Sequence, residues 1–259
     1  MAGNTATPGV TVASRVLAIL GAFDSTHREL RLSEIARRAG LALPTTHRLV
    51  GELQAWGALE RTADAYVIGR RIWDLGLLAP SQAGLRELAS PFLHDIYGAT
   101  LATVHLAVRD GDRVLYLDRL AGHASVPVVS TVGSRLPMHA TGVGKVLLAH
   151  APEEVRQAVL ADLRRVTPYT ITQPGRLRAQ LARVRQDGYA QTSEEMSLGA
   201  CSVAVPIHDV TGRVIAALGI VVPDLKRSRP GLVAALQVAA QGIRRSIRDA
   251  ASGDESGRG

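Results

Sequence analysis

Residues 32–68 read LSEIARRAGLALPTTHRLVGELQAWGALERTADAYVI, and the first third of the chain takes its fold from this stretch. Ser33 can cap a short helix that turns Ile35, Ala36 and Ala39 inward, with Gly40 as its stop. A turn through Leu41, Ala42 and Leu43 leads to Pro44, which suits a first helical turn because its missing N–H would be unpaired there anyway. The helix that follows carries Leu49, Val50, Leu53 and Trp56 inward and ends near Gly57. Ala58 to Thr62 alternates apolar and polar, Ala63-Asp64-Ala65 turns, and Tyr66 to Ile68 comes back as a second strand.

Upstream, Ser14 can cap a helix with Val16, Leu17, Ile19, Leu20 and Phe23 at helical spacing, and Asp24 to Arg31 reads as a polar loop. Three helices and a tight hairpin within about sixty residues make a winged helix-turn-helix pattern. In that motif the N-terminal residues of the second helix of the pair enter the major groove of double-stranded DNA. Here they are Thr45, Thr46, His47 and Arg48, which can bond to base edges or phosphates. Arg37 and Arg38 on the bracing helix, and Arg61, Arg70 and Arg71 around the hairpin, could hold the phosphate backbone. The same polar cluster would serve as a solvated face on a small helical domain. The lack of any catalytic constellation among these residues favours DNA.

Downstream, Gly69 to Leu78 is helical, Pro80 interrupts, and a helix with Pro91 inside it runs from about Ser81 to Tyr97. Thr103–Val108 and Val114–Leu117 form a hairpin around Asp110-Gly111-Asp112, and Val126 to Thr131 reads as a third strand. Helices are expected over residues 142–150, 152–163 and 175–187. Strands are expected from Gly188, over Ser202–His208 and over Val214–Val222, and the last helix over Pro230–Arg248. Helices mixed with antiparallel hairpins make an α+β domain.

A chain of 259 residues suits a small module joined to a larger one, and 46% hydrophobic residues are ample for two cores. No apolar run reaches the ~18 residues of a membrane span, and the N-terminus lacks the basic-then-apolar pattern of a signal peptide, so a soluble, cytoplasmic protein is expected. Cys201 is the only cysteine, which excludes an intramolecular disulfide and a cysteine-rich zinc site. The net charge of +7 suits a polyanionic partner, and it is almost all arginine, since Lys145 and Lys226 are the only lysines. A GC-rich genome produces the same bias, so charge alone does not name the partner.

Enzyme readings fail on inspection. Gly142-Val-Gly144-Lys145 hints at a phosphate loop, but the spacing then needs glycine where His139 stands and Ser or Thr where Val146 stands. Glu194 and Glu195 are adjacent and point apart, with no partner acid, so structural hydrogen bonds to backbone or arginine are expected. His105, His123, His139 and His208 lack metal-ligand spacing, and Cys201 lacks a nucleophile motif. No catalytic residue, metal or cofactor is expected.

Two long stretches carry a resemblance. Gly133-Ser-Arg-Leu-Pro-Met-His-Ala-Thr-Gly-Val-Gly-Lys-Val-Leu-Leu-Ala149 and Gly188-Tyr-Ala-Gln-Thr-Ser-Glu-Glu-Met-Ser-Leu-Gly-Ala-Cys-Ser-Val-Ala-Val-Pro-Ile207, with Asp209, closely resemble signatures of the IclR family of bacterial transcriptional regulators. Leu43-Pro-Thr-Thr-His-Arg-Leu49 looks like that family's recognition helix, and Thr103-Val-His-Leu106 with Tyr116-Leu-Asp-Arg119 like its first sensor strands. The similarity runs in order from about Val10 to Arg248.

Small, polar residues with Pro8 and Gly9 read as a disordered tail over 1–9, and the resemblance implies a winged helix-turn-helix over 10–71 and a linker helix over 72–85. A GAF-like effector domain with a central antiparallel sheet follows over 86–250, then a disordered tail over 251–259. It implies homodimers, also paired as tetramers, on pseudo-palindromic operators, with repression the expected output and a small organic acid as the controlling effector. A sensor module acting through protein contacts without DNA is the rival that an intact recognition helix argues against. The implied effector pocket is lined by Thr141, Gly142 and Val143 and by Thr192, Ser202, Gly219 and Val221. Relatives that take very small keto acids place an acidic residue, a cysteine and two serines at the last four positions. An unhindered Gly219 and an apolar Val221 therefore point to a roomier pocket and an aromatic acid.

Overall fold

The computed structural model describes residues 11–24, 26–77, 83–122, 125–126, 128–226 and 228–256. The chain divides into two compact units, Met1–Pro80 and Ser81–Gly259. The expected tail over 1–9, part of the expected linker helix (78–82) and residues 257–259 of the expected C-terminal tail lie outside the described residues.

In the first unit, α1 (Val12–Leu20), α2 (Leu32–Ala39) and α3 (Leu43–Trp56) pack around Ile19, Ile35, Leu49, Val50 and Leu53. The caps differ from those expected. Thr11 caps α1, its hydroxyl accepting from the Ser14 N–H, and the cap of α2 stands two residues earlier, at Arg31, whose N–H donates to the Glu34 carboxylate. Gly40 ends α2 in the left-handed region (φ 65°), a conformation that costs glycine no Cβ clash. The hairpin β2 (Leu59–Thr62) and β3 (Ala65–Ile68) is joined by a strand inside the expected polar loop, β1 (Glu29–Leu30), giving the order β1-β3-β2. Trp56, expected inward, is exposed at the end of α3, and the Arg71 guanidinium lies 4.5 Å above its ring. A further helix, α4 (Arg70–Leu77), closes the unit.

The second unit begins with α5 (Ala83–Thr100), which holds Pro91 within it. Its centre is a six-stranded antiparallel sheet of β4 (Thr103–Asp110), β5 (Arg113–Leu120), β6 (Arg135–Pro137), β7 (Ala190–Ser193), β8 (Cys201–His208) and β9 (Val214–Val222), in the order β6-β5-β4-β9-β8-β7. Of the segment expected as a strand, residues 126 and 128–131 are not strand, and residue 127 is outside the described residues. The outer edge of β5 is taken instead by β6, with Leu136 opposite Val114. One face of the sheet (Val104, Leu106, Val205, Ile207, Leu218, Ile220) packs against α5 and α9 (Arg229–Ser256). The last helix thus runs past Arg248, through part of the segment expected as a tail. The other face (Ala107, Tyr116, Ala190, Ala204, Ala217) packs under α6 (Gly142–Ala149), α7 (Glu153–Ala161) and α8 (Pro174–Asp187).

Helix α6 is buried along its whole length, Lys145 included. The Lys145 ammonium donates to the Glu195 carboxylate at 2.6 Å and to the Gln180 side-chain carbonyl on α8 at 2.7 Å. Burial pushes the ammonium pKa down and the Glu195 carboxyl up, and their mutual attraction opposes both shifts. Glu195 thus takes a lysine rather than an arginine, while Glu194 accepts from the Gly199 N–H at 2.9 Å. Removing one partner of a buried pair strands the other. Lys145→Met should therefore lower unfolding free energy in urea by about 3–5 kcal/mol, and Lys145→Met with Glu195→Leu should recover most of it. A single variant no less stable than the double would show that the pair carries no such constraint.

Candidate functional site

The first unit presents the start of α3 behind the three-residue turn from α2. Thr45 is half-buried, and His47 and Arg48 are exposed, the latter 3.6 Å from Glu52 one turn on. Thr46 departs from expectation. It is 0% exposed, its hydroxyl donating to the Ala42 carbonyl at 3.1 Å, because it stands three, four and seven residues before the core positions Leu49, Val50 and Leu53. It therefore supports the helix and does not face solvent.

Arg37 is exposed in the last turn of α2, whereas Arg38 is spent inside the unit. Its Nε donates to the Ala22 carbonyl at 2.6 Å and its Nη2 to the Asp24 carboxylate. Hydrogen bonds from Thr26 and His27 hold that carboxyl well below the usual range, so it stays a charged anchor. Arg61 is exposed on β2, Arg70 is exposed with Asp74 at 3.9 Å, and Arg71 covers Trp56. Of the arginines expected at the DNA face, Arg37 and Arg61 are exposed with no ion pair among the described residues, while Arg48 and Arg70 are exposed and each lies beside an acidic residue one turn on.

In the second unit, Thr141, Gly142, Val143, Thr192, Ser202, Gly219 and Val221 all line one cavity between the sheet and the start of α6. Its empty space, open mouth included, is about 490 Å³. Further walls come from His105 and Tyr116 on β4 and β5, from Val128, Val129 and Ser130, and from Met196 and Ser197. His105 and Tyr116 were legible as neighbours on one sheet face. Nothing local marked Val128 to Ser130.

Thr141 caps α6, its hydroxyl accepting from the Gly144 N–H at 3.2 Å and donating to the Pro137 carbonyl. The N–H groups of Gly142 and Val143 in the first turn stay free of protein acceptors among the described residues, a natural seat for an anion. The Thr192 and Ser202 hydroxyls bond at 2.6 Å beneath them. Across the cavity, His105 Nε2 bonds to the Ser130 hydroxyl at 2.7 Å, and the His105 ring meets Tyr116 edge-on at 4.9 Å. Burial first, and then Arg119, pushes His105 down to about 3, so it is neutral near pH 7, and burial raises the Tyr116 phenol. No described lining residue is charged.

Gly219 corrects a second expectation. A Cβ there would lie 2.7 Å from Val143 Cγ1, so its missing side chain is already filled by α6 and offers no spare room. The histidines are also accounted for separately. His139 Nε2 bonds to the Arg164 carbonyl at 2.9 Å, His123 lies outside the described residues, and no described cluster of His, Cys, Asp and Glu could hold a metal ion.

A helix-turn-helix with an exposed basic start to its second helix in one unit, and a partly open cavity in the other, are the features of a DNA-binding regulator with a sensor domain. Comparison with known proteins agrees in both units. Residues 12–63 match the IclR helix-turn-helix domain and residues 78–245 the bacterial transcriptional regulator IclR C-terminal domain. The chain belongs to the IclR family of transcriptional regulators and is not an enzyme.

It is 33% identical over 217 residues to the HTH-type transcriptional regulator XynR of Escherichia coli, covering 82% of this chain and 86% of that protein. It is 28% identical to the Pca operon regulatory protein of Acinetobacter baylyi over 242 residues, 91% of this chain and 87% of the relative. Among solved structures, an IclR homolog from Microbacterium hydrocarbonoxydans complexed with 4-hydroxybenzoate superposes with a TM-score of 0.89. That homolog is 37% identical, and the match covers 92% of this chain and all of the other.

The Gly219 contact has a measurable consequence. Gly219→Ala should over-pack the seat of α6 and cost about 1–3 kcal/mol in chemical unfolding, as extra core methyl groups do. Val143→Ala in the same chain should return most of it. A Gly219→Ala protein as stable as the parent would mean that α6 yields freely.

Proposed function

We propose that this regulator holds its operator as a repressor and releases it on binding an aromatic carboxylic acid. The observation that carries the reading is the polarity of the cavity. Free N–H groups of Gly142 and Val143 and the Thr192 and Ser202 hydroxyls gather at one end, against walls of Val128, Leu136, Val143 and Val221. Such a cavity offers a carboxylate uncharged donors and a ring apolar contact. The 4-hydroxybenzoate complex of a homolog with the same fold supports the same ligand class. No helix is long and apolar enough to cross a membrane among the described residues, and we place the protein in the cytoplasm with its operator.

Operator reading falls to His47 and Arg48, with Thr45 beside them and Arg37 and Arg61 on phosphates. Two copies would set their recognition helices ~34 Å apart, one duplex turn, or a multiple of it. Trp73 and Leu75 on α4 are large apolar side chains left exposed in the single chain, and they suit a dimer contact. Leu78, where the helix expected from Gly69 ends, is outside the described residues.

Arg48→Ala should weaken operator binding by about 1–3 kcal/mol in a gel-shift titration at fixed salt, with normal circular dichroism. Thr46→Val should leave affinity unchanged, since its hydroxyl faces the helix backbone. Equal losses from both variants would contradict this division of labour.

The ligand class is tested by thermal shift. At ~100 times its dissociation constant an effector stabilises the protein by about 2.7 kcal/mol. Benzoate and its ring-substituted relatives should give that shift and release the operator, whereas pyruvate and glyoxylate should give none. The reverse pattern would refute the aromatic reading.

A further inference from the structure

Buried polar side-chain atoms almost always find a hydrogen-bond partner, so those that do not require a reason. Among the described residues the unpartnered ones are Arg119 Nε, Thr103 Oγ1 and Glu195 Oε2, and the first two belong to the neighbouring strands β5 and β4. Arg119 on β5 stands opposite His105 on β4, and His105 opposite Gly219 on β9. In the next row Thr103 stands opposite Val221, Val221 opposite Ser202, and Ser202 opposite Thr192. Directly paired residues share a sheet face, so Arg119 and Thr103 point to the side where His105, Val221 and Ser202 line the cavity. The neighbouring Asp118 points the other way and pairs with Arg86 on α5 at 3.1 Å, which leaves Arg119 without a carboxylate.

We propose that the effector cavity has a second polar pole, formed by Arg119 and Thr103, which accepts an anionic or strongly accepting oxygen at the far end of the effector. A guanidinium is only a donor, and its fork suits a carboxylate, so the group it awaits is an acceptor. The strand order places this pole on the opposite flank of the cavity from the start of α6. Gly142 lies over Ser202 on β8, and Arg119 lies on β5, three strand spacings away or roughly 14 Å at the backbone. An Arg119 side chain extended toward α6 would shorten that gap to about one ring with a hydrogen bond at each end. The effector class is therefore a two-ended acid, with a carboxylate at α6 and an oxygen acceptor at the opposite end. This deepens the proposed aromatic-acid reading and uses the same cavity.

Matched pairs of ligands, titrated calorimetrically against the full chain, decide it: benzoate with terephthalate, and hexanoate with adipate, with 4-hydroxybenzoate as an intermediate. In the parent protein the two-ended member of a pair should bind at least tenfold more tightly. Arg119→Gln should abolish that advantage and leave the affinity of the one-ended acid unchanged, and Thr103→Val should reduce the advantage without a change in melting temperature. An advantage seen only for adipate over hexanoate, and lost in Arg119→Gln, would uphold the second pole and refute the aromatic reading. Two-ended acids with no advantage in either pair, or an advantage that survives Arg119→Gln, would overturn the second pole whatever the fate of the aromatic one.

Discussion

The close seating of α6 on the central sheet is the constraint on which the effector domain depends. A Cβ at Gly142 would stand 2.5 Å from the Ser202 hydroxyl and one at Gly219 2.7 Å from Val143, while one at Gly144 would run into the Met138 carbonyl. Glycine at these places lets backbone approach backbone, and the approach brings the free N–H groups of the first turn to the floor of a cavity. The same seating buries the whole helix, and with it the ammonium of Lys145. An interior cation must be met by a carboxylate and by further acceptors, which Glu195 and Gln180 supply. One geometric demand thus accounts for the glycines, the ligand-facing donors and the buried ion pair.

The reading unit sorts its arginines by a comparable logic. Asp24 sits in a tight turn where Thr26 and His27 donate to it, and it is the fixed charge that draws Arg38 inward across the base of α1 and α2. Arg71 spends its guanidinium on the face of Trp56. A count of basic residues would treat all of these as a DNA-facing surface. The contacts separate Arg38 and Arg71, which hold the unit together, from Arg37 and Arg61, which stand exposed with no ion pair among the described residues.

Much of this was legible in the sequence, for reasons that differ by element. The helices of the first unit follow from apolar spacing and from Gly40 and Gly57, and the β4–β5 and β8–β9 hairpins follow from alternation around Gly111 and Gly212, all local signals. β1 and β6 were missed because each is short and becomes a strand only by pairing with a distant partner edge, which no local pattern encodes. The burial of Thr46 could have been read, since it lies on the stripe of Leu49, Val50 and Leu53; its polar side chain drew attention away from its phase. The role of Arg38 could not, because Asp24 is fourteen residues away. The pocket positions came from resemblance, and the space at Gly219 was misjudged because an absent side chain says nothing of what fills its place.

The loop after β7 links the cavity to the buried ion pair. Met196 and Ser197 stand at the cavity wall, next in sequence to Glu195, whose carboxylate is held by Lys145. Its backbone is held as well, with the Thr167 hydroxyl on the Glu194 carbonyl at 2.6 Å and the Thr170 hydroxyl on the Glu195 carbonyl at 2.7 Å. Glu194 adopts a left-handed conformation (φ 55°) that a non-glycine residue holds only when its surroundings fix it. A ligand at the start of α6 therefore touches a helix and a loop that are tied to each other by a buried ion pair. Apolar contacts tolerate small slides, whereas a buried pair is favourable only in good geometry, so helix and loop must move together or not at all. A ligand can shift the protein only by the difference in its affinity for two arrangements, and elements coupled so tightly make such arrangements discrete.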